Sequence, residues 1–321
     1  MLTGQLRKKL SRLGYVLTAL SLVWLMFSNP VVAAPNQNDQ GSLLRQGKNY
    51  VLQVGNLQFE VDPKHGAKVI AFRLDDDNIL TKPSADPQNY GSTFWPSPQS
   101  NWEWPPITEI DSDPYTVNGD DLPLVMTSET SSEFGLQIAK KFSVDSEQQG
   151  ITIEYTITNL SDKPQSFAPW EISRVRPDGL TFYPTGDAQL GSGPFEELTT
   201  EEKNGITWFE YNSQDIDANQ KLYADGAEGW LAHVDGDKLL IKAFQDIPLE
   251  RQAPTESEIE IFANASRPYI EIEQQGPYAK INPNESLSWK VDWYLRKLPS
   301  DLSPRVGSNK LVEIVRDIVA S

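Results

Sequence analysis

The stretch LSWKVDWYL (287–295) decides the fold class, because apolar and polar side chains alternate along it without a break. One set consists of Leu287, Trp289, Val291 and Trp293, and the other consists of Ser288, Lys290, Asp292 and Tyr294. Successive side chains of an extended chain point to opposite faces, so a period of two residues indicates a β-strand with one buried face. The segment therefore predicts a strand packed on an apolar core.

The same alternation recurs in short segments that precede this strand. They are YVLQVGNLQFEV (50–61), AKVIAFRL (67–74), FGLQIAKKFSV (134–144), GITIEYTITN (150–159), ITWFEY (206–211), GWLAHV (229–234), KLLIKAF (238–244), EIEIFAN (258–264) and YIEIEQ (269–274). Glycine, proline, asparagine and aspartate separate them, as expected for turns. We therefore predict one all-β domain of antiparallel strands over residues 49–298, because no change in composition divides it.

The remaining residues, 299–321, are predicted to be a tail with a short helix. Leu311, Ile314, Val315, Ile318 and Val319 recur at helical spacing, and Ser308 or Asn309 can cap the first turn. We expect the apolar face of this helix to pack on the rim of the β domain.

Residues 1–33 have the three parts of a secretory signal peptide. Basic residues lie near the start, between Arg7 and Arg12, and residues 1–33 contain no acidic residue. The apolar run VLTALSLVWLMF (16–27) follows, and the segment ends in small residues at Ala33. An uncleaved membrane anchor would need about 18 or more apolar residues, so cleavage after Ala33 is favoured. We therefore expect a periplasmic or secreted protein, with a flexible leader at residues 34–48.

The composition excludes several classes of site and partner. The signal peptide contains four of the 28 basic residues and none of the 45 acidic ones, so cleavage changes the net charge from −17 to −21. This charge repels phosphate backbones and anionic lipids, so we expect neither nucleic acid nor, after cleavage, a membrane as partner. The chain has no cysteine, which excludes disulfides and thiolate metal sites. His65 and His233 lie in distant segments without metal-ligand spacing, and we expect no metal and no cofactor.

The first candidate ligand-binding segment is NYGSTFWPSPQSNWEWPP (89–106). Proline restricts such a loop and lowers the entropy cost of presenting a ring. The flat faces of Trp95, Trp102 and Trp104 suit the C–H faces of sugar rings, and Asn101 can hydrogen-bond sugar hydroxyls. Alternatively, the tryptophans cover an edge of the core.

The second candidate segment, SFAPWEISRVRPDGLTFYP (166–184), interrupts the strand pattern after residue 159. It brings Trp170, Glu171 and Arg174 close together in sequence. A carboxylate and a guanidinium beside an indole can hold a polyol or an acidic sugar. The alternative is a structural ion pair.

The third candidate segment, YIEIEQQGPY (269–278), places Glu271 and Glu273 on one strand face. Two carboxylates about 7 Å apart repel each other when desolvated, which raises the pKa of one and prepares it for acid–base chemistry. If the face is solvated, they form an ordinary polar strand face.

Four stretches resemble known families. LQFEVDPKHGAKVIAFRLDDDNIL (57–80) and YIEIEQQGPYAKINPNESLSWKVDWYL (269–295) resemble the first hairpin and the last strands of galactose-mutarotase-like proteins. FWPSPQSNWEWPP (94–106) and APWEISRV (168–175) resemble an exported branch of that superfamily, the DUF4380 proteins. The resemblance implies a β-supersandwich in which one concave sheet binds a sugar.

The resemblance also implies roles for individual residues. The catalytic glutamate of mutarotases corresponds to Glu271, with Glu273 as the less favoured register. The histidine acid has no counterpart, because Trp170 or Glu171 stands in its place, although Arg174 could act as an electrostatic partner instead. His233 and Lys242 could enter the site from a neighbouring strand.

We therefore expect an exported, monomeric carbohydrate-binding protein in which Trp95, Trp102, Trp104, Trp170, Glu171, Arg174 and Glu271 line the site. The first alternative is a sugar epimerase, mutarotase or lyase that uses Glu271 as base. The second is a non-catalytic envelope protein that binds another protein, which the missing histidine and the acidic surface favour.

Overall fold

The computed structural model describes residues 41–187 and 193–320, which form two large β-sheets packed face to face. The predicted signal peptide and the first part of the predicted leader lie outside these residues. Every strand pair named below is antiparallel, as the alternating sequence predicts.

Sheet 1 contains eleven strands. In spatial order, its main path is β1 (Ser42–Gln46), β2 (Asn49–Val54), β3 (Leu57–Asp62), β4 (Lys68–Leu74), β6 (Ser92–Ser97), β11 (Gln165–Val175), β19 (Ile270–Gln275), β18 (Ile259–Ala263) and β15 (Gln220–Ala224). Two short strands lie off this path, β5 (Asp77–Asn78) beside β4 and β20 (Ala279–Ile281) beside β11.

Sheet 2 contains ten strands. In spatial order they are β13 (Glu201–Lys203), β14 (Ile206–Glu210), β12 (Leu180–Pro184), β16 (Trp230–Asp235), β17 (Lys238–Phe244), β21 (Ser286–Lys297), β10 (Gly150–Asn159), β9 (Leu136–Asp145), β8 (Leu124–Thr127) and β7 (Thr116–Asn118). The α-helices among the described residues are α1 (Thr108–Asp111) and α2 (Asn309–Val319).

The main core lies between the two sheets and explains the alternation of β21. Trp293 is fully buried there, and its ring centroid lies 5.3 Å from that of Phe59 and 5.8 Å from that of Phe72, both in edge-to-face geometry. Burial of each such side chain contributes about 1.5–3 kcal/mol, and each edge-to-face pair adds about 0.5–1.5 kcal/mol. The apolar face of residues 287–295, the stretch that decided the fold class, therefore packs at the centre of the core.

Helix α2 lies on the outer face of sheet 2 and not on the rim of the β domain, so that part of the prediction is wrong. Its buried residues Leu311 and Val315 belong to a second apolar cluster with Trp208 and Trp230. The side chain of Ser308 accepts a hydrogen bond from the backbone N–H of Leu311, as predicted for the helix cap. The helix therefore closes an apolar surface of sheet 2 that would otherwise face water.

Two further expectations about local structure are corrected. Residues Ser42–Gln46, expected to belong to a flexible leader, pair with β2 as the edge strand β1. The segment 166–184, expected to interrupt the strand pattern, supplies β11 and β12. No helix in the part of the chain that the structure describes is long and apolar enough to cross a membrane.

Candidate functional site

Strand β11 divides its side chains between two environments. Trp170, Ile172 and Arg174 point away from sheet 2, whereas Glu171 and Ser173 point towards it, because successive strand residues alternate. We call the side that carries Trp170 the outer face of sheet 1. Strand register extends this face to β6 and β19, since residues paired directly across a sheet lie on the same side.

Four tryptophans meet on this outer face. The ring of Trp95 is central, and its centroid lies 5.3 Å from that of Trp170, 5.8 Å from that of Trp102 and 6.0 Å from that of Trp104. Trp95 and Trp170 are buried and Trp102 is half-buried, but Trp104 is 61% exposed. An indole with this exposure is unusual in a folded chain and marks a surface suited to a ligand.

Each indole N–H beneath Trp104 has an acceptor that fixes its ring. Trp95 donates to Oδ1 of Asp111 at 2.8 Å, and Trp170 donates to Oε2 of Glu273 at 2.9 Å. Trp102 donates to the backbone oxygen of Pro96 at 2.6 Å. The aromatic cluster is therefore held in one arrangement before any ligand binds, which lowers the entropy cost of binding.

Arg174 and Glu271 form an ion pair beside this cluster. Their Nε and Oε1 atoms are 2.8 Å apart, and the guanidinium lies 5.6 Å from the ring centroid of Trp95 and 5.7 Å from that of Tyr269. The Arg174 side chain is 1% exposed, whereas that of Glu271 is 14% exposed. Burial lowers the pKa of Arg174, but Glu271 and its other acidic neighbours raise it above its ordinary value. The carboxylate of Glu271 is thus the part of the pair that solvent reaches.

Next to the tryptophans lies a buried charge cluster that contains Glu273, Lys221 and Glu260. The Nζ atom of Lys221 is 2.5 Å from Oε2 of Glu260 and 3.3 Å from Oε2 of Glu273. Burial raises the pKa of each of these glutamates to about 8, although the attraction of Lys221 opposes the shift. The cluster therefore retains protons at neutral pH, because one ammonium cannot balance several desolvated carboxylates.

Glu256 connects this charge cluster to residues 89–106, which we call the tryptophan segment. Its Oε1 atom accepts a hydrogen bond from the backbone N–H of Gln99 at 3.1 Å. The pKa of Glu256 lies above its ordinary value, because burial raises it more than the charge of Lys221 lowers it. Gln99 begins the turn that leads into Asn101 and Trp102, so this contact fixes the loop that presents Trp104.

Three residues predicted for the same site lie elsewhere. Glu171, Lys242 and His233 are fully buried and point between the sheets, on the opposite side of sheet 1 from Trp170. His233 contacts Thr181 through Nδ1 at 2.9 Å, and burial lowers its pKa to about 4. The expectation that these side chains line the site is corrected, because strand alternation directs them into the core.

Glu171 and Lys242 form the centre of a polar network in that core. Lys242 donates to Oε1 of Glu171 at 2.6 Å and to Oγ of Ser173 at 2.7 Å, and its Nζ lies 3.0 Å from the ring centroid of Trp293. Glu171 also accepts hydrogen bonds from Tyr155, Gln274 and Trp293. This is the structural ion pair that the sequence left open, although its cation is Lys242 and not Arg174.

The remaining predicted residues lie on the outer face or at its border. They are Trp95, Asn101, Trp102, Trp104, Trp170, Arg174, Glu271 and Glu273, of which Asn101 is exposed in the tryptophan segment. Sequence reasoning missed Lys221, Asp111 and Glu260. The alternation Glu258–Ile259–Glu260 could have indicated Glu260, because it repeats the pattern of Glu271 and Glu273. No group of three or more histidine and acidic residues in residues 41–187 and 193–320 has a geometry that could hold a metal ion.

A family model described as "Domain of unknown function (DUF4380)" matches residues 48–296 of the chain. No curated protein matches the sequence significantly. The family match covers both sheets except β1 and the last residue of β21, and it includes every outer-face residue described above.

Several solved structures have a similar fold, and they include proteins described as aldose 1-epimerases or galactose mutarotase related enzymes. A putative aldose 1-epimerase from Escherichia coli K12 has a TM-score of 0.53 and 13% identity, over 78% of this chain and 99% of that chain. A galactose mutarotase related enzyme from Lactobacillus acidophilus has a TM-score of 0.54 and 8% identity, over 80% of this chain and 100% of that chain. The Slr1438 protein from Synechocystis sp. PCC 6803 has a TM-score of 0.54 and 13% identity, over 80% of this chain and 96% of that chain. At these identities the likeness concerns the fold alone.

Proposed function

Because the chain belongs to the DUF4380 family and has the galactose-mutarotase-like fold that its sequence predicts, we propose that it is an exported carbohydrate-binding protein. Its binding surface is the accessible part of the outer face of sheet 1, between the exposed ring of Trp104 and the carboxylate of Glu271. The observation that carries the proposal is the fixed cluster of four tryptophans beside a charged pair.

The chemistry of this surface suits a sugar ring. The exposed indole of Trp104 offers an apolar face for ring C–H groups, and Glu271 offers acceptor oxygens for hydroxyl groups. A second exposed ring, Phe195, lies 5.8 Å from the ring of Phe262, which is paired with Glu271 across the sheet. Trp104 is therefore connected to the ion pair through Trp95, which contacts Arg174. Phe195 is connected to it through Phe262, which lies beside Glu271.

We expect Trp104→Ala to weaken carbohydrate binding by at least about tenfold, because it removes the stacking surface. The thermal midpoint should change little, since Trp104 is mostly exposed. A glycan-array screen of the chain from Ala34 identifies the sugar, and calorimetric titration then compares the variants.

Leu160→Ala is the matched control, because it also removes an exposed apolar side chain but lies in the turn after β10. It should bind sugar as the unchanged protein does. Normal binding by Trp104→Ala would contradict the proposed site. An empty array with folded protein would contradict carbohydrate binding itself and favour a protein-binding envelope role.

A second candidate function is sugar epimerisation with Glu271 as the general base. The partial exposure of its carboxylate favours this residue over Glu273, which is buried and is bonded to Trp170 and Lys221. We expect Glu271→Gln to lower any mutarotation rate by about 10²–10⁴. The exposed Glu285→Gln is the control, and polarimetry on a panel of aldoses and uronates is the measurement. Equal rates in both variants would exclude this role for Glu271.

Export is the remaining part of the proposal, and it rests on the basic and apolar pattern of residues 1–33. We expect the mature protein recovered from its native compartment to begin at Ala34. N-terminal sequencing and intact-mass measurement test this, and recovery of a chain that still contains residues 1–33 would argue against cleavage.

A further inference from the structure

Asp111 places a further carboxylate on the outer face of sheet 1. It is the last residue of helix α1, and its Oδ1 atom accepts hydrogen bonds from the indole N–H of Trp95 and the hydroxyl of Thr93, both at 2.8 Å. The side chain of Asp111 is 17% exposed, which is slightly more than that of Glu271. Solvent therefore reaches both carboxylates, and both are connected to Trp95, Asp111 directly and Glu271 through Arg174.

Each of these carboxylates uses only one of its oxygens within the protein. Oε1 of Glu271 contacts Arg174, and Oδ1 of Asp111 accepts the two hydrogen bonds described above. The other oxygens, Oδ2 of Asp111 and Oε2 of Glu271, accept no hydrogen bond within residues 41–187 and 193–320, yet neither is buried. A carboxylate oxygen in this state has lone pairs available for a hydroxyl donor of a ligand.

The cations that balance these carboxylates are buried more deeply than the carboxylates. The side chain of Lys68 is 4% exposed and that of Arg174 is 1% exposed. The Nζ atom of Lys68 is 3.9 Å from Oδ2 of Asp111, which is beyond hydrogen-bond distance. Burial raises the pKa of Asp111, but the charge of Lys68 and the two hydrogen bonds to Oδ1 lower it below its ordinary value. A ligand on this face therefore meets ionised oxygens and not the cations.

We propose that Asp111 is a sugar-binding residue and that the outer face of sheet 1 selects neutral sugars over acidic ones. This inference rests on the proposed carbohydrate-binding function. Oδ2 of Asp111 and Oε2 of Glu271 accept hydrogen bonds from hydroxyl groups of the ligand. An ionised carboxylate only accepts hydrogen bonds, so it pairs with a hydroxyl and repels a carboxylate. Of the two ligands that the sequence left open for Arg174, the polyol is therefore favoured over the acidic sugar.

Matched pairs of methyl glycosides test this selection, because the members of a pair differ only in the group at C6. The pairs are those of glucose, galactose and mannose with their uronates, together with the pair for any other sugar found on the glycan array. Isothermal titration at pH 7 and low salt should show that the neutral member of the tightest pair binds at least about tenfold more tightly than its uronate. Uronates that bind as tightly as their neutral partners would overturn the selection.

Asp111→Asn should weaken binding of the neutral sugar at least about tenfold. The amide oxygen can still accept the hydrogen bond of Trp95, whereas an amide donor replaces Oδ2. In a two-dimensional NMR spectrum, the indole N–H signal of Trp95 should therefore keep its hydrogen-bonded position. A signal that moves to the position of a free indole would mean that Asp111 acts through Trp95 and not on the ligand, which would overturn its role as a binding residue.

The matched control is Asp162→Asn, which removes the same charge from an exposed residue in the turn after β10. It should bind the neutral sugar as the unchanged protein does. Normal binding by Asp111→Asn, or equal weakening by Asp162→Asn, would overturn the role of Asp111 and leave the proposed function intact. Absence of sugar binding by the unchanged protein would overturn both.

Discussion

Lys242→Met should destabilise the protein by about 3–5 kcal/mol, because it leaves Glu171 as a buried carboxylate without its cation. Both side chains are fully buried, and their ion pair at 2.6 Å lies between the two sheets. Hydrogen bonds from Tyr155 and Trp293 still reach Glu171 in this variant, but they do not supply a countercharge. Urea unfolding followed by circular dichroism measures the change.

The double variant Lys242→Met/Glu171→Gln should recover much of this loss, because it removes both charges from the core. The measurement is best made at pH 6, since burial lowers the pKa of Lys242 to about 8 and the ammonium is then still charged. Lys290→Met, on the exposed face of β21, should change stability by no more than about 0.5 kcal/mol. If Lys242→Met lowered the free energy of unfolding by no more than this control, the ammonium of Lys242 would not be needed to stabilise the buried carboxylate of Glu171.

The fold was predictable where one strand face is buried and the other is solvated. Strand β21 alternates in its first half, so its sequence shows its period directly. Strand β11 does not alternate in polarity, because its residues from Phe167 onward are buried on both faces. The outer face of sheet 1 is covered by the tryptophan segment, and this cover removed the period-two signal from the strand beneath.

The candidate site was predictable in composition but not in geometry. Trp170 and Glu171 are adjacent in sequence, and only the register of β11 decides which of them faces the core. Lys221 gave no signal, because β15 is short and buried throughout. Both cases depend on the position of a strand in its sheet, which local sequence does not determine.

We expect the free energy of unfolding to fall by a few kcal/mol as the pH rises from 5 to 7. Burial raises the pKa of Glu258, Glu260 and Glu273 from an ordinary 4.5 to about 8, so the folded chain keeps protons that the unfolded chain has lost. Each such group lowers stability by about 1.4 kcal/mol per pH unit in this range. His233, with its pKa lowered to about 4, acts in the opposite direction up to its ordinary 6.5, so the net slope is below that of three groups.

This profile distinguishes the protein from one stabilised by ionised carboxylates, whose stability rises with pH below about pH 5 and is level between pH 5 and 7. Glu273→Gln should reduce the slope between pH 5 and 7 by about one proton, because the amide cannot titrate. The exposed Glu250→Gln should leave the slope unchanged. Above pH 7, Lys140, whose pKa burial lowers to about 7, opposes the fall, because the unfolded chain still binds a proton there. Urea midpoints across this range decide the matter, and stability that stays level or rises from pH 5 to 7 would mean that these glutamates are ionised in the folded protein.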